Sequence, residues 1–406
     1  MTERLYYNDS YTIQFAATIL ERLVHKDSTA VVLNQSYFYP SSGGQPHDVG
    51  TLSDVAVTNV FVRKEDGAVV HVLERDHVPD QISGRIDWER RFDHMQHHCG
   101  QHILSRAFIE VAEAPTVSFH LGPESCTIDI DVAEITSEKL KAAETLANQI
   151  VQENRPVTTK QVSLEEAQSL PIRKLPPVSD GLIRLVDITN FDLTACGGTH
   201  VAHTGEIGLI KVTKIERRKK ILRVEFLCGR RALADYDRKI TVVQALMANL
   251  STGQDKLVGS VEKLEQERKM LSREVRLLKR EKFEQVAQRL SNQLDQLHDI
   301  EFLTHTFTNG ESLDDMRQIA TVLTSSENRV IVLGSAGSQA MLCFASSAGD
   351  RFHMGNLLRA VLPLVNAKSG GGGMKQAQGG GQSATAAEVS AALHVAREKI
   401  ENQEDF

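Results

Sequence analysis

Two short motifs, about a hundred residues apart, constrain this chain more than any other feature in it. His97-His98-Cys99-Gly100-Gln101-His102 lies in a stretch of helical spacing from Trp88 to Glu113, with Ile103, Leu104, Ala107, Phe108 and Val111 as its apolar side. Residues four apart share a helix face, so His98 and His102 can aim two imidazoles at one ion. Further on, Thr194-Ala195-Cys196-Gly197-Gly198-Thr199-His200 sets a thiol and an imidazole four residues apart across two glycines. The glycines let the backbone turn tightly enough for both side chains to converge. One cysteine and three histidines form a four-donor set suited to tetrahedral Zn²⁺ in a reducing compartment. The competing interpretation, a chance histidine pair with a buried structural cysteine and a capping histidine, has to explain both pairs separately. No glutamate follows His98, so the general base of a zincin protease is missing.

The pattern changes several times along the 406 residues, as expected for about two to four domains. Short strand-like runs such as Thr29 to Leu33 and Ala68 to Leu73, broken by Gly43-Gly44, Asp66-Gly67 and Pro79, predict a small β-barrel-like module over 1–88. A mixed α+β domain bearing the zinc motifs follows over 89–235. Over 236–298 the chain is free of proline and rich in Lys, Arg, Glu, Gln and Leu. Leu257, Leu264, Leu271 and Leu278 recur every seven residues, with Val261 and Val275 at alternate seam positions, as in a coiled coil. Arg268 and Lys282 interrupt the seam. Phe283, Val286, Leu290, Leu294 and Leu297 continue in a shifted phase, which predicts a stutter between two coiled segments. Residues 299–406 read as a C-terminal α/β domain with paired strands at Val330 to Leu333 and Ala340 to Ala345. The run Gly370 to Gly381, seven of its residues glycine, predicts a loop. The whole is an α+β multidomain chain.

Lys plus Arg number 46 against 53 Asp plus Glu, a net charge of −7, which advertises no nucleic-acid partner. From Lys211 to Lys239, however, eleven basic residues face four acidic ones, a local +7 of the kind phosphate contact requires. The five cysteines are far apart and form no secreted disulfide framework. Polar and charged residues from Met1 to Ser10, and the lack of any apolar run of about 18 residues, lead us to expect a cytoplasmic protein.

With both motifs in place, the chain resembles the editing domain shared by alanyl-tRNA synthetases and the free-standing alanyl-tRNA editing proteins of the AlaX family. The run Phe38-Tyr39-Pro40-Ser41-Ser42-Gly43-Gly44-Gln45-Pro46-His47-Asp48-Val49-Gly50 resembles the glycine-rich motif of the β module that precedes that domain. Leu222 to Gly229 is similar to its closing strand, and Gly370 to Gly381 to the C-terminal domain that alanyl-tRNA synthetases share with DHH-type phosphoesterases. The order is that of the long free-standing editors. No aminoacylation domain is expected, because the β module begins almost at Met1.

The resemblance implies a zinc-dependent hydrolase that deacylates mischarged Ser-tRNA(Ala), with Gly-tRNA(Ala) as a second candidate, and one Zn²⁺ held by His98, His102, Cys196 and His200. It places Gln101 close to substrate and a substrate-sensing polar side chain on the following strand, where Ser118 and His120 compete as two residues of one strand face. Gln45 and Asp48 are further candidates, from the motif that lies over the family's pocket. Many relatives have Thr or Ser, then Ala, between the histidines; Cys99 here sits about 100° round the helix from His98, off the ligand face. Zinc could activate water or anchor the substrate amine. Serine is larger than alanine, so a pocket that takes serine and refuses alanine needs a hydrogen bond to the serine hydroxyl. The helical segment implies a homodimer. The rival function is a non-catalytic tRNA-binding coiled-coil assembly protein with structural zinc. A third function, a phosphoesterase, draws only on the C-terminal resemblance; of the aspartate-rich metal motifs of that family, Asp93-His94 alone is present.

Overall fold

Alternating hydrophobicity in the N-terminal residues closes into a six-stranded barrel. In spatial order its strands are Gln14–His25, Ser28–Leu33, Val69–Leu73, Val55–Val62, Gly50–Leu52 and Gln81–Ile86. Val31, Leu33, Leu52, Val60, Val69 and Ile82 fill it. The computed structural model describes residues 2–76, 78–174, 181–367 and 369–402, which form two compact units, Met1–Leu246 and Met247–Phe406.

Asp87, accepting a hydrogen bond from the Arg90 amide, caps α1 (Trp88–Ala112), and Glu113 ends it in a left-handed conformation. α1 packs on an antiparallel sheet of four strands in the order Ile210–Arg218, Ile221–Cys228, Cys126–Ile130 and Thr116–Leu121. α2 (Ser137–Gln152) joins the same core. Val157–Ser163, Leu182–Ile188 and Asp192–Ala195 form a second antiparallel sheet, with α3 (Leu164–Ser169) against it. α4 (Gly229–Asn249) leaves the last strand. Most of the basic run lies on the hairpin of Ile210–Arg218 and Ile221–Cys228, where Arg217 pairs with Glu134 at 2.8 Å and Arg218 with Glu216 at 3.2 Å.

The stretch 236–298 is not one helical segment. α4 ends at Asn249, Ser251 takes a positive φ, and α5 (Leu257–Ser291) starts after a 3-10 turn. Leu297 belongs to a strand, Asp295–Leu297. The shifted apolar phase has a packing cause: Phe283, Ala287 and Leu290 bury against this unit's own sheet, whereas Leu264, Leu271 and Leu278 stay 53 to 60% exposed. α5 is thus one continuous helix that presents two successive apolar faces.

The second unit is a sheet between two helix layers. Its strands, in order, are Asp295–Leu297, Ile300–Phe307, Arg329–Ser335, Met341–Ser346, Gln376–Gly380 and Ser369–Gly372. Ile331 and Leu333 face α5 and α6 (Leu313–Leu323); Val330 and Val332 face α7 (Met354–Val361) and α8 (Ala386–Glu401). The glycine run, expected as a loop, supplies the last two strands of the sheet. A β-carbon at Gly372 would overlap the Ala377 backbone, so here the glycines permit a close hairpin instead of preventing order.

Candidate metal centre

α1 runs through the interior of its unit, so every residue from His94 to Ser105 is buried. Polar groups there persist only if something engages them. His98 and His102 lie on one face with ring centroids 5.3 Å apart. After the strand Asp192–Ala195 the chain crosses this face. Cys196 Sγ comes 3.3 Å from His98 Nε2 and 3.4 Å from His200 Nε2. One donor atom from each of His98, His102, Cys196 and His200 lies within 4.8 Å of all the others. Bonds to zinc of about 2.0 Å for nitrogen and 2.3 Å for sulfur would put neighbouring donors of a tetrahedron roughly 3.3 to 3.7 Å apart, a spacing these contacts match.

The surroundings also fit a cation. Gln45, 2% exposed, accepts from His98 Nδ1 at 2.8 Å and from the Thr199 amide at 3.1 Å, and its own amide donates to Thr199 Oγ1 at 2.9 Å. That bond turns His98 Nε2 toward the sulfur. Asp192 Oδ2 stands 3.6 Å from His102 Nδ1, and its carboxylate is paired with Arg173 at 2.8 Å. Carboxylate and amide partners behind ligand imidazoles are typical of metal sites. Arg184 donates to the carbonyls of Cys196 and Gly198 at 2.8 and 3.0 Å, pinning the loop. A β-carbon at Gly198 would overlap the His98 ring, so this position requires glycine. Burial alone would raise the Cys196 thiol. His98, His200 and His102 outweigh burial and hold it well below the ordinary range, which makes a thiolate ligand available. Burial pushes the His200 imidazole down, against the Cys196 sulfur, which draws a proton toward it.

Gln101 is buried beside the ligands, and its amide donates to Ser105 Oγ at 2.7 Å; the Thr116 hydroxyl reaches the same oxygen at 2.7 Å. Ser118 and His120 are not brought to the cluster. Both are exposed, and Ser118 donates to Asp129 at 2.6 Å. The intervening Phe119 faces the site, its ring stacked on His98 at 5.4 Å. Strand alternation therefore turns Ser118 and His120 to the opposite face. Asp48 lies away from the ligands, in a fully buried ion pair with Arg91 that ties the barrel to α1. Cys99 is in the apolar core, off the ligand face. The sequence contained one signal for Phe119: if Ser118 and His120 share a face, the residue between them takes the other. Asp192 and Arg184 carried no comparable signal.

A family profile described as the threonyl and alanyl tRNA synthetase second additional domain matches residues 183–225, and one for class II (A) tRNA synthetases matches residues 2–90. The alanine–tRNA ligase of Pyrococcus furiosus is 33% identical over 82% of this chain and 37% of its own length. The alanyl-tRNA editing protein AlaX-L of Pyrococcus horikoshii is 28% identical over 91% of this chain and 93% of its own. The alanyl-tRNA editing protein Aarsd1 of Bos taurus is 32% identical over 71% of this chain and 68% of its own. The chain thus spans about two-fifths of the archaeal ligases it matches.

Proposed function

The chain belongs to the alanyl-tRNA editing protein family, and from that premise we propose that it hydrolyses the aminoacyl ester of tRNA(Ala) mischarged with serine, with glycine as the second candidate. The observation that carries this proposal is the convergence of His98, His102, Cys196 and His200 next to the Gln45 loop. We assign one Zn²⁺ per chain to these four residues. Zinc held there would act as a Lewis acid toward the ester carbonyl or anchor the substrate amine.

The chain's own residues have four roles in this proposal. Gln45 orients His98, and Arg184 holds the loop that carries Cys196 and His200. The Phe119 ring shields one side of His98. Gln101 with Ser105 and Thr116 forms the polar string beside the ligands, and we assign the serine hydroxyl to it, since recognition of serine over the smaller alanine requires a hydrogen bond. Residues 1–88 and 89–235 are proposed as the barrel and the metal-bearing domain. Residues 236–298, which carry the exposed stripe of α5, are proposed as the homodimer contact, and 299–406 as the C-terminal domain. Among the described residues no helix is long and apolar enough to cross a membrane.

Metal content and deacylation rates measured on the same preparations test this function. The expected outcome is about one zinc per chain and hydrolysis of Ser-tRNA(Ala) far faster than of Ala-tRNA(Ala). His102→Ala and Cys196→Ala should lose deacylation while still binding tRNA. Full activity in zinc-free protein, or equal hydrolysis of correctly and wrongly charged tRNA, would overturn it.

A further inference from the structure

One helical turn before His98, α1 forms one wall of a cavity of about 610 Å³ that the proposed metal chemistry does not use. Pro46, next to the Gln45 that holds His98, forms one edge. Pro123, just beyond the strand that places Phe119 on His98, forms another. The first two turns of α4 close the cavity with Arg230 and Arg231, and Arg90 of α1 faces them.

The charge in this cleft is arranged for an anion. Asp93 is occupied by Arg231, whose guanidinium also donates to the Gly122 carbonyl at 2.7 Å, so this pair is part of the wall. Glu89 pairs with Arg230 at 3.2 Å, but both side chains are largely in solvent, where such a pair is weak and easily exchanged. Arg90 uses Nε on the His47 carbonyl at 3.1 Å and, among the described residues, no other partner. Three guanidinium groups thus meet two carboxylates. α4 begins here with no acidic residue in its first turn, which leaves the positive end of its dipole toward the cleft.

His94 lines the same cavity, is 2% exposed, and its Nδ1 has no hydrogen-bond partner among the described residues. Burial, then the Arg90 charge, push this imidazole down to about 3, so the ring is neutral and offers a donor and an acceptor without adding charge. A buried polar side chain left without a partner in an arginine-lined cleft is placed to engage a polar ligand.

On the premise of the tRNA substrate above, we propose that this cleft holds the phosphodiester backbone of the single-stranded 3′ end, with Arg90 and Arg230 on a phosphate and His94 on a neighbouring sugar or phosphate oxygen. His94 precedes His98 by four residues, an axial rise of roughly 6 Å. That is a span of the order of one nucleotide, which suits a phosphate one unit upstream of an ester lying at the metal centre. The basic hairpin at Arg217 to Lys220 lies at the other end of the strand Ile221–Cys228 and cannot serve this position.

The test compares uncharged tRNA(Ala) bearing an intact CCA end with the same tRNA trimmed of CCA, by filter binding, alongside steady-state deacylation of Ser-tRNA(Ala). Wild type should prefer the intact end. Arg90→Gln and Arg230→Gln should each reduce that preference by on the order of tenfold, as expected for a lost charged hydrogen bond, and should raise KM while leaving kcat and zinc content unchanged. His94→Gln should reduce the preference less. Both arginines make only solvent-facing or single contacts, so their loss should not unfold the domain. A wild type without end preference, or arginine variants with unchanged preference and KM, would overturn the cleft. Binding needs no turnover, so a wild type that prefers the CCA end but fails to deacylate supports the cleft and counts only against the proposed hydrolysis.

Discussion

Gln45 joins the two halves of the candidate metal centre through one amide group: its oxygen serves His98 on α1 and the Thr199 amide in the Cys196–His200 loop, and its nitrogen serves the Thr199 hydroxyl. Removing it frees the His98 ring to rotate and loosens the loop that carries Cys196 and His200. Gln45→Ala should therefore weaken zinc binding by roughly 10- to 100-fold, the usual effect of losing such an outer partner, in competition with a chromogenic chelator. An unchanged affinity would show that packing against Phe119 is enough to orient His98. Phe119 teaches a different lesson. On that strand the side chain that lies on His98 is an aromatic ring and not a polar group.

Within elements, the barrel carries an ionisable group in its interior. His71, in the strand Val69–Leu73, is fully buried; it bonds to Ser36 at 2.8 Å and packs its ring against Phe38. Burial pushes this imidazole down to about 4 from an ordinary value near 6.5. Above the unfolded value both states are neutral and the barrel keeps its full stability. As pH falls from about 6.5 toward 4, the unfolded chain takes up a proton that the folded one refuses, and stability declines by up to about 3 kcal/mol. Urea denaturation from pH 7 to pH 4 should show a shallower decline in His71→Gln than in wild type. Equal slopes would place the acid sensitivity in other buried histidines.

At the scale of the molecule, α5 shows how one helix can serve two purposes. Its last turns fold into the α/β unit, while Val261, Leu264, Leu271, Val275 and Leu278 remain 42 to 60% exposed along a heptad stripe. Apolar side chains at that spacing are normally covered by another helix, and a second copy supplies an identical seam. Leu264→Gln with Leu271→Gln should lower the mass found by analytical ultracentrifugation from dimer to monomer. A wild type that is already monomeric at working concentration would remove the dimer from the proposal.

What could be read from the sequence was local. The i, i+4 histidines, the Cys-Gly-Gly-Thr-His turn, the alternation of the barrel strands and the leucine heptad are all set by neighbours within a few residues, because helix and strand periods fix which side chains share a face. Tertiary structure decided what each face meets. It turned Phe119 rather than Ser118 or His120 to the candidate metal centre, put Gln45 and Asp192 behind the imidazoles of the cluster, and paired the glycine run as the last two strands of a sheet. It also gave the end of α5, whose shifted phase is written in the sequence, a sheet to pack on. Each outcome depends on contacts between residues tens to hundreds of positions apart, and spacing along a single segment contains no information about the surface that will cover it.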